Sequence, residues 1–199
     1  MSKFIEGFLA YPHLDKPVAP MGNAEGNKKY GCVIILDPKN PAVAKQLAEL
    51  DKHARMLVQN KFGDRAEQLI NHMKSRGLWF VRDGNSPKDN GEARGAEFKD
   101  RYFINAKEDQ QPALFNADTT PTSWDKGVFY AGCKARFYVD TSCWEYAGRT
   151  GIAVYLKALQ FAGHGEAFGK QTRITADMLT PIAQEPAAVE VSDDDNPYI

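Results

Sequence analysis

Gly127-Val128-Phe129-Tyr130-Ala131-Gly132-Cys133-Lys134-Ala135-Arg136-Phe137-Tyr138-Val139 alternates with period two, and its two sides differ in chemistry. Phe129, Ala131, Cys133, Ala135, Phe137 and Val139 form a small apolar side. Tyr130, Gly132, Lys134, Arg136 and Tyr138 form a side of rings and cations. Alternation of this kind predicts a β-strand with one face on a core and the other toward solvent. Trp144, Tyr146 and Arg149 follow in a segment broken by Gly148 and Gly151. Ile152 to Phe161 then reads as another strand, closed by Gly163-His164-Gly165.

Upstream, residues 4–14 read as a strand with Phe4, Phe8 and Ala10 on one face and Ile5, Leu9 and Tyr11 on the other. Residues 15–28 hold Pro, Gly, Asn and Lys and predict a loop. Tyr30 to Leu36 is a second strand, stopped by Asp37-Pro38-Lys39-Asn40-Pro41. Asn40 suits a helix cap and Pro41 a first helical position, where a missing N–H costs nothing. Val43, Leu47, Leu50, Ala54 and Leu57 then form one apolar stripe. A second helix is expected from Asp64, with Glu67 completing a capping box; its stripe is Ala66, Leu69, Ile70 and Met73, and Gly77 ends it. A short strand Leu78–Val81, a polar loop over 82–96 and a strand Phe98–Ala106 follow, then a Gln/Pro/Thr-rich connection to Trp124. One helical turn is expected near Thr175–Leu179. The fold expected is mainly β with inserted helices (α+β): a five-stranded barrel over residues 1–180, a helical insertion at about 40–76, and a disordered acidic tail over 181–199.

The formal net charge is only -1, but its distribution is uneven. Glu185, Glu190, Asp193, Asp194 and Asp195 have no Lys or Arg among them, which leaves 21 acids against 25 basic residues in 1–184, a formal +4. A basic body with an acidic end is an asymmetry found in nucleic-acid-binding chains, and also in proteins with a merely solvated terminus. No apolar run reaches the length of a membrane-spanning helix. Glu6 stands where a signal peptide needs its apolar core. Cys32, Cys133 and Cys143, three and widely spaced, suit reduced thiols in a cytoplasm better than a disulfide framework.

The chemistry lies in three strand faces. Tyr130, Lys134, Arg136 and Tyr138 share one, Lys99, Arg101 and Phe103 repeat the mixture, and Tyr155 and Lys157 do so again. Single-stranded nucleic acid requires this combination: cations neutralise phosphates, and rings offer flat faces to unstacked bases. Phe103, Tyr130, Tyr138, Trp144, Tyr146 and Tyr155 are the candidate stacking rings. Lys99, Arg101, Lys134, Arg136, Arg149 and Lys157 are the candidate phosphate partners. A barrel with such an outer face is what an OB-fold uses to bind oligonucleotides. An exposed sheet with polar residues outward gives the same pattern, as does a protein-interaction module, since Tyr and Arg favour both surfaces.

Enzyme signatures fail. Gly163 to Lys170 has the wrong glycine spacing for a phosphate loop, and Gln171 stands where Ser or Thr should hold magnesium. His13, His53, His72 and His164 are scattered, no Cys-x-x-Cys is present, and no Gly-x-Ser-x-Gly elbow occurs. No catalytic activity, metal or cofactor is expected.

Two resemblances sharpen this reading. Asp193-Asp194-Asp195-Asn196-Pro197-Tyr198-Ile199 resembles the tip of bacterial single-stranded-DNA-binding proteins, where acids, an apolar residue, proline and a terminal phenylalanine dock partner proteins. Asn196 replaces the apolar residue here, Tyr198 the phenylalanine, and Ile199 adds one position. Cys133-Lys134-Ala135-Arg136 and Gly151-Ile152-Ala153-Val154-Tyr155-Leu156-Lys157-Ala158-Leu159-Gln160-Phe161, with the opening strand ending in Tyr11-Pro12 and the paired helices, resemble the tailed-bacteriophage single-stranded-DNA-binding proteins. That resemblance implies an OB-fold, a role in replication or recombination, no cofactor, and a tail (Asp193, Asp194, Asp195, Pro197, Tyr198) that contacts replication proteins.

Overall fold

The structure is a computed structural model and describes residues 3–19, 23–88 and 90–169. The elements run β1 (Lys3–Val18), β2 (Lys29–Leu36), α1 (Pro41–Phe62), α2 (Ala66–Ser75), β3 (Arg82–Asp83), β4 (Tyr102–Glu108), β5 (Ala113–Phe115), β6 (Pro121–Thr122), β7 (Lys134–Tyr146) and β8 (Arg149–Gly163). β1 pairs antiparallel with both β2 and β7, β2 with β4, and β7 with β8. A parallel contact between Lys107 of β4 and Tyr155 of β8 closes the ring β1–β2–β4–β8–β7. This is the expected five-stranded OB-type barrel, with the helices inserted after its second strand. The turn expected near Thr175–Leu179, the boundary at 180 and the acidic tail lie outside the described residues.

β1 serves both neighbours because it bends. Its first half pairs with β7, from Lys3↔Val139 to Phe8↔Lys134, and its second half with β2. The register slips between Ala10 and His13. Pro12 has no N–H for the ladder, and Tyr11 sits at φ 46°, so the strand kinks where a barrel must turn.

Ile5, Leu9, Ile34, Leu36, Ile104, Phe137, Leu156 and Leu159 fill the interior with no measurable exposure. Each such side chain contributes about 1.5–3 kcal/mol by leaving water. α1 adds Val43, Leu50, Ala54 and Val58 to this core, and α2 adds Ala66, Ile70 and Met73. The expected stripe therefore holds, but its last member is Val58 rather than Leu57. The Asn40 side chain accepts from the Ala42 N–H at 3.0 Å, capping α1. Replacing Asn40 with alanine should cost about 1 kcal/mol in a urea titration, with an unchanged slope.

Four local expectations are corrected. Asp64 caps nothing: Gly63–Arg65 is a 3-10 turn, and α2 starts after it without a side-chain cap. Leu78–Val81 is not a strand. It drops from the end of α2 into the core, burying Trp79 and Phe80, while the Leu78 carbonyl accepts from the Ile152 N–H at 3.1 Å. Phe98–Arg101 is not strand either: Ala96–Phe98 is a 3-10 turn, and Asp100 at φ 56° reverses the chain before β4. Finally, β7 begins at Lys134. Gly127 to Cys133 is a run of turns in which the Asp125 carbonyl accepts from the Val128 and Phe129 N–H groups, and Phe129 still reaches the core. The alternation does not hold through these turns: Ala131 is only half-buried, and Gly132 is buried next to Cys133.

A second, smaller cluster covers the outside of the sheet: Ala10, Ile35, Phe98 and Phe103. The Arg94 guanidinium lies 4.6 Å from the Phe103 ring centre and 5.8 Å from that of Phe98. This segment straps the outer face of β1, β2 and β4.

Candidate nucleic-acid interface

A groove of about 830 Å³ crosses β2 and β4. Its floor is Tyr30, Gly31, Cys32 and Val33 from β2 and Asn105, Ala106 and Lys107 from β4. Its walls are the end of β1 with the following loop, the segment Leu78–Arg82, and the β7–β8 hairpin. In barrel order these are the second and third strands, the loop joining the first to the second, and the hairpin joining the fourth to the fifth. OB-folds bind oligonucleotides on that face.

The lining is one-sided in charge. Lys29, Arg82 and Lys107 line it, and no carboxylate among the described residues does. Tyr11, Tyr30, Trp79, Phe80, Trp144 and Tyr155 supply rings. Lys29 is held at 3.1 Å by Asp109, a residue outside the lining.

Local structure aims the rings. Ala147 and Gly148 have φ 48° and 74°, the two-residue hairpin turn whose twist matches its strands. It brings Trp144 opposite Gly151, where a Cβ would stand 2.5 Å from the indole; the ring occupies the place of the missing side chain. Tyr155 accepts from the Ser142 hydroxyl at 3.2 Å. Trp79 donates to Asp51 of α1 at 3.1 Å, so the helices hold the groove wall. At the rim, Tyr11 stacks beside Phe98 and donates to Glu97 at 2.5 Å. Burial, then the Glu97 hydrogen bond and charge, push its phenol up to about 12, which keeps it a neutral donor.

The structure divides the residues expected from the sequence. Trp144 and Tyr155 line the groove. Tyr146, 80% exposed, and Arg149 face solvent at the hairpin tip. Lys157 lies beside the groove, over the Tyr155 ring and paired with Glu108, which raises its pKa. Lys134, Arg136 and Tyr138 do emerge together, but from β7, which stands across the barrel from the β2–β4 pair. There Arg136 pairs with Glu6 at 2.9 Å and lies over Phe4, while Tyr138 lines a separate recess of about 260 Å³ with Phe115 and Gln160.

Tyr130 is off the strand. Its ring stacks on His164, and its hydroxyl donates to the Gly165 carbonyl at 2.9 Å. Arg101 is folded over Phe8, 5.1 Å from the ring centre, on the strapped outer face, and Lys99 sits in the turn before it. Phe103 is corrected outright: at 2% exposure it is packing, with no face for a base. Sequence reasoning missed Tyr11, His13, Lys29, Tyr30, Arg82, Asn105 and Lys107. Asn105 and Lys107 were within reach, because they continue the alternation of Lys99, Arg101 and Phe103; Lys29-Tyr30 opens a strand with the same cation–ring pair. Nothing local marks Tyr11 or His13, since only the kink at Pro12 turns them into the groove.

A family model described as the ssDNA-binding protein of Enterobacter phage Enc34 matches residues 7–188. A curated relative, putative protein p50 of Acyrthosiphon pisum secondary endosymbiont phage 1, is 24% identical over 162 residues, 80% of this chain and 82% of the relative. The fold is similar to the bacteriophage Enc34 single-stranded DNA-binding protein in complex with ssDNA, with TM-score 0.63 and 18% identity over 83% of this chain and 87% of that one. It is also similar to gp2.5, a single-stranded DNA-binding protein encoded by bacteriophage T7, with TM-score 0.54 and 8% identity over 88% of this chain and 97% of that one.

Proposed function

We propose that this chain, which belongs to the family of the Enterobacter phage Enc34 ssDNA-binding protein, binds single-stranded DNA in the groove across β2 and β4, without strong sequence preference. The observation that carries this reading is the lining: cations and rings with no carboxylate among the described residues. Phosphates are drawn to the cations, and every base has a face to stack, so affinity is sequence-tolerant. The biological setting is protection of unpaired DNA during phage replication or recombination, in the cytoplasm of the bacterial host. A fluorescence titration with oligo-dT at two salt concentrations tests it. Affinity should fall with a log–log slope of about -0.7 per phosphate contacted. Absence of binding at low salt overturns the proposal.

The five carboxylates after residue 184 carry a second role, contact with replication proteins and competition with DNA for the basic body. Carboxylates mimic phosphate charge at a cationic surface. Deleting residues 185–199 should therefore tighten oligo-dT binding at low salt; unchanged affinity would remove competition from the account.

A further inference from the structure

One line of residues crosses the groove at right angles to its strands. His13 of β1 pairs with Gly31 of β2, Gly31 with Lys107 of β4, and Lys107 with Tyr155 of β8. All four line the groove. Directly paired residues project to the same side of a sheet, so an imidazole, a gap, an ammonium and a phenol follow one another across four strands. We infer that this row is a phosphate subsite: one phosphodiester of the bound strand sits over Gly31, between His13 and Lys107, and the neighbouring base stacks on Tyr155. The inference rests on the groove being the DNA site.

Gly31 makes the seat. A Cβ there would stand 2.6 Å from the Ala106 carbonyl oxygen and 3.3 Å from Cγ of Lys107, so the lysine stem leans over the glycine. His13 and Lys107 stand two strand spacings apart, about 9.5 Å between backbones. Inclined side chains then bring both nitrogens to opposite oxygens of one phosphate, at about 2.8 Å each. The Lys107 side chain is available: among the described residues it has no ion pair or hydrogen bond, whereas Lys29 is held by Asp109 and Lys157 by Glu108.

The surroundings of His13 couple the seat to pH. Lining the groove with it are Tyr11 from its own strand, Lys29 and Tyr30 from β2, Lys107 from β4, Tyr155 from β8 and Arg82 from the segment after α2. These are cations and phenols, with Glu97 bonded to Tyr11 and Asp109 paired with Lys29 outside the lining. A phosphate seated between His13 and Lys107 interacts more strongly with a positive imidazole than with a neutral one, so the bound phosphate favours the protonated form. DNA binding then takes up a proton at His13. Affinity rises as pH falls through the imidazole range.

The test uses the full chain and oligo-dT, with affinity and salt slope measured at about pH 5.5 and about pH 8, either side of imidazole titration. The wild type should bind about fivefold or more tightly at the lower pH. His13→Gln should abolish the dependence of affinity on pH. Lys107→Gln should flatten the slope by about 0.7 at the higher pH, where the lysine alone neutralises that phosphate. The subsite is overturned if the wild-type affinity is the same at both pH values, or if His13→Gln keeps the full pH dependence. Should Lys107→Gln and Tyr155→Ala both bind as the wild type does, the DNA lies elsewhere and the groove reading itself fails.

Discussion

Tyr155→Ala and Trp144→Ala each weaken oligo-dT binding by about 5- to 150-fold, the loss expected for one base–ring stack of about 1–3 kcal/mol. Both rings line the groove, and both are held rather than free. Trp144 lies over the bare backbone of Gly151, and Tyr155 is tied to Ser142. A ring already in place loses little conformational freedom on binding, so most of the stacking energy is retained as affinity. Tyr138→Ala is the matched control. It removes a ring of the same kind from the same hairpin, but from the recess across the barrel, and should leave binding near the wild-type value. Equal losses from Tyr138→Ala and Tyr155→Ala, measured by the same titration, would move the DNA track to the outer face of β7.

Phe137→Ala should cost about 3–5 kcal/mol of folding stability. Phe137 is fully buried in β7, paired with Ile5 on one side and Leu159 on the other, and both of those are buried as well. Its ring joins the three adjacent strands that carry the groove's far wall, and a closed barrel has no free edge that could move in to fill the cavity. At about 2–4 °C per kcal/mol for a domain of this size, the melting temperature should fall by roughly 6–20 °C. Urea denaturation followed by tryptophan emission measures the free energy directly; a loss below about 1 kcal/mol would mean that the core relaxes around the missing ring.

Much of the barrel was legible in the chain because its signals are local. The alternation through Lys134–Val139 shows which side of β7 faces inward, and Ala135, Phe137 and Val139 are buried as that alternation requires. Asn40-Pro41 marks the start of α1, and the apolar stripes of both helices mark their packed faces. The site was less legible. Of the rings and cations expected on strand faces, Phe103 is buried and Lys99, Arg101 and Tyr130 lie off the strands, and an outward face on a closed barrel points in every direction around it. Lys134, Arg136 and Tyr138 share a side, as the alternation predicts, and that side is turned away from β2 and β4.

The sequence by itself determined the strands of the barrel, the inserted helices, and the polarity of each face, since these follow from the spacing of neighbouring side chains. Tertiary structure alone decided which faces meet. Pairing of β2 with β4, parallel closure of β4 on β8, and the kink of β1 at Pro12 bring His13, Gly31, Lys107 and Tyr155 into one row from four distant stretches of chain. Strand register is set by burial and hydrogen bonding between segments far apart in sequence, and no local period carries that information.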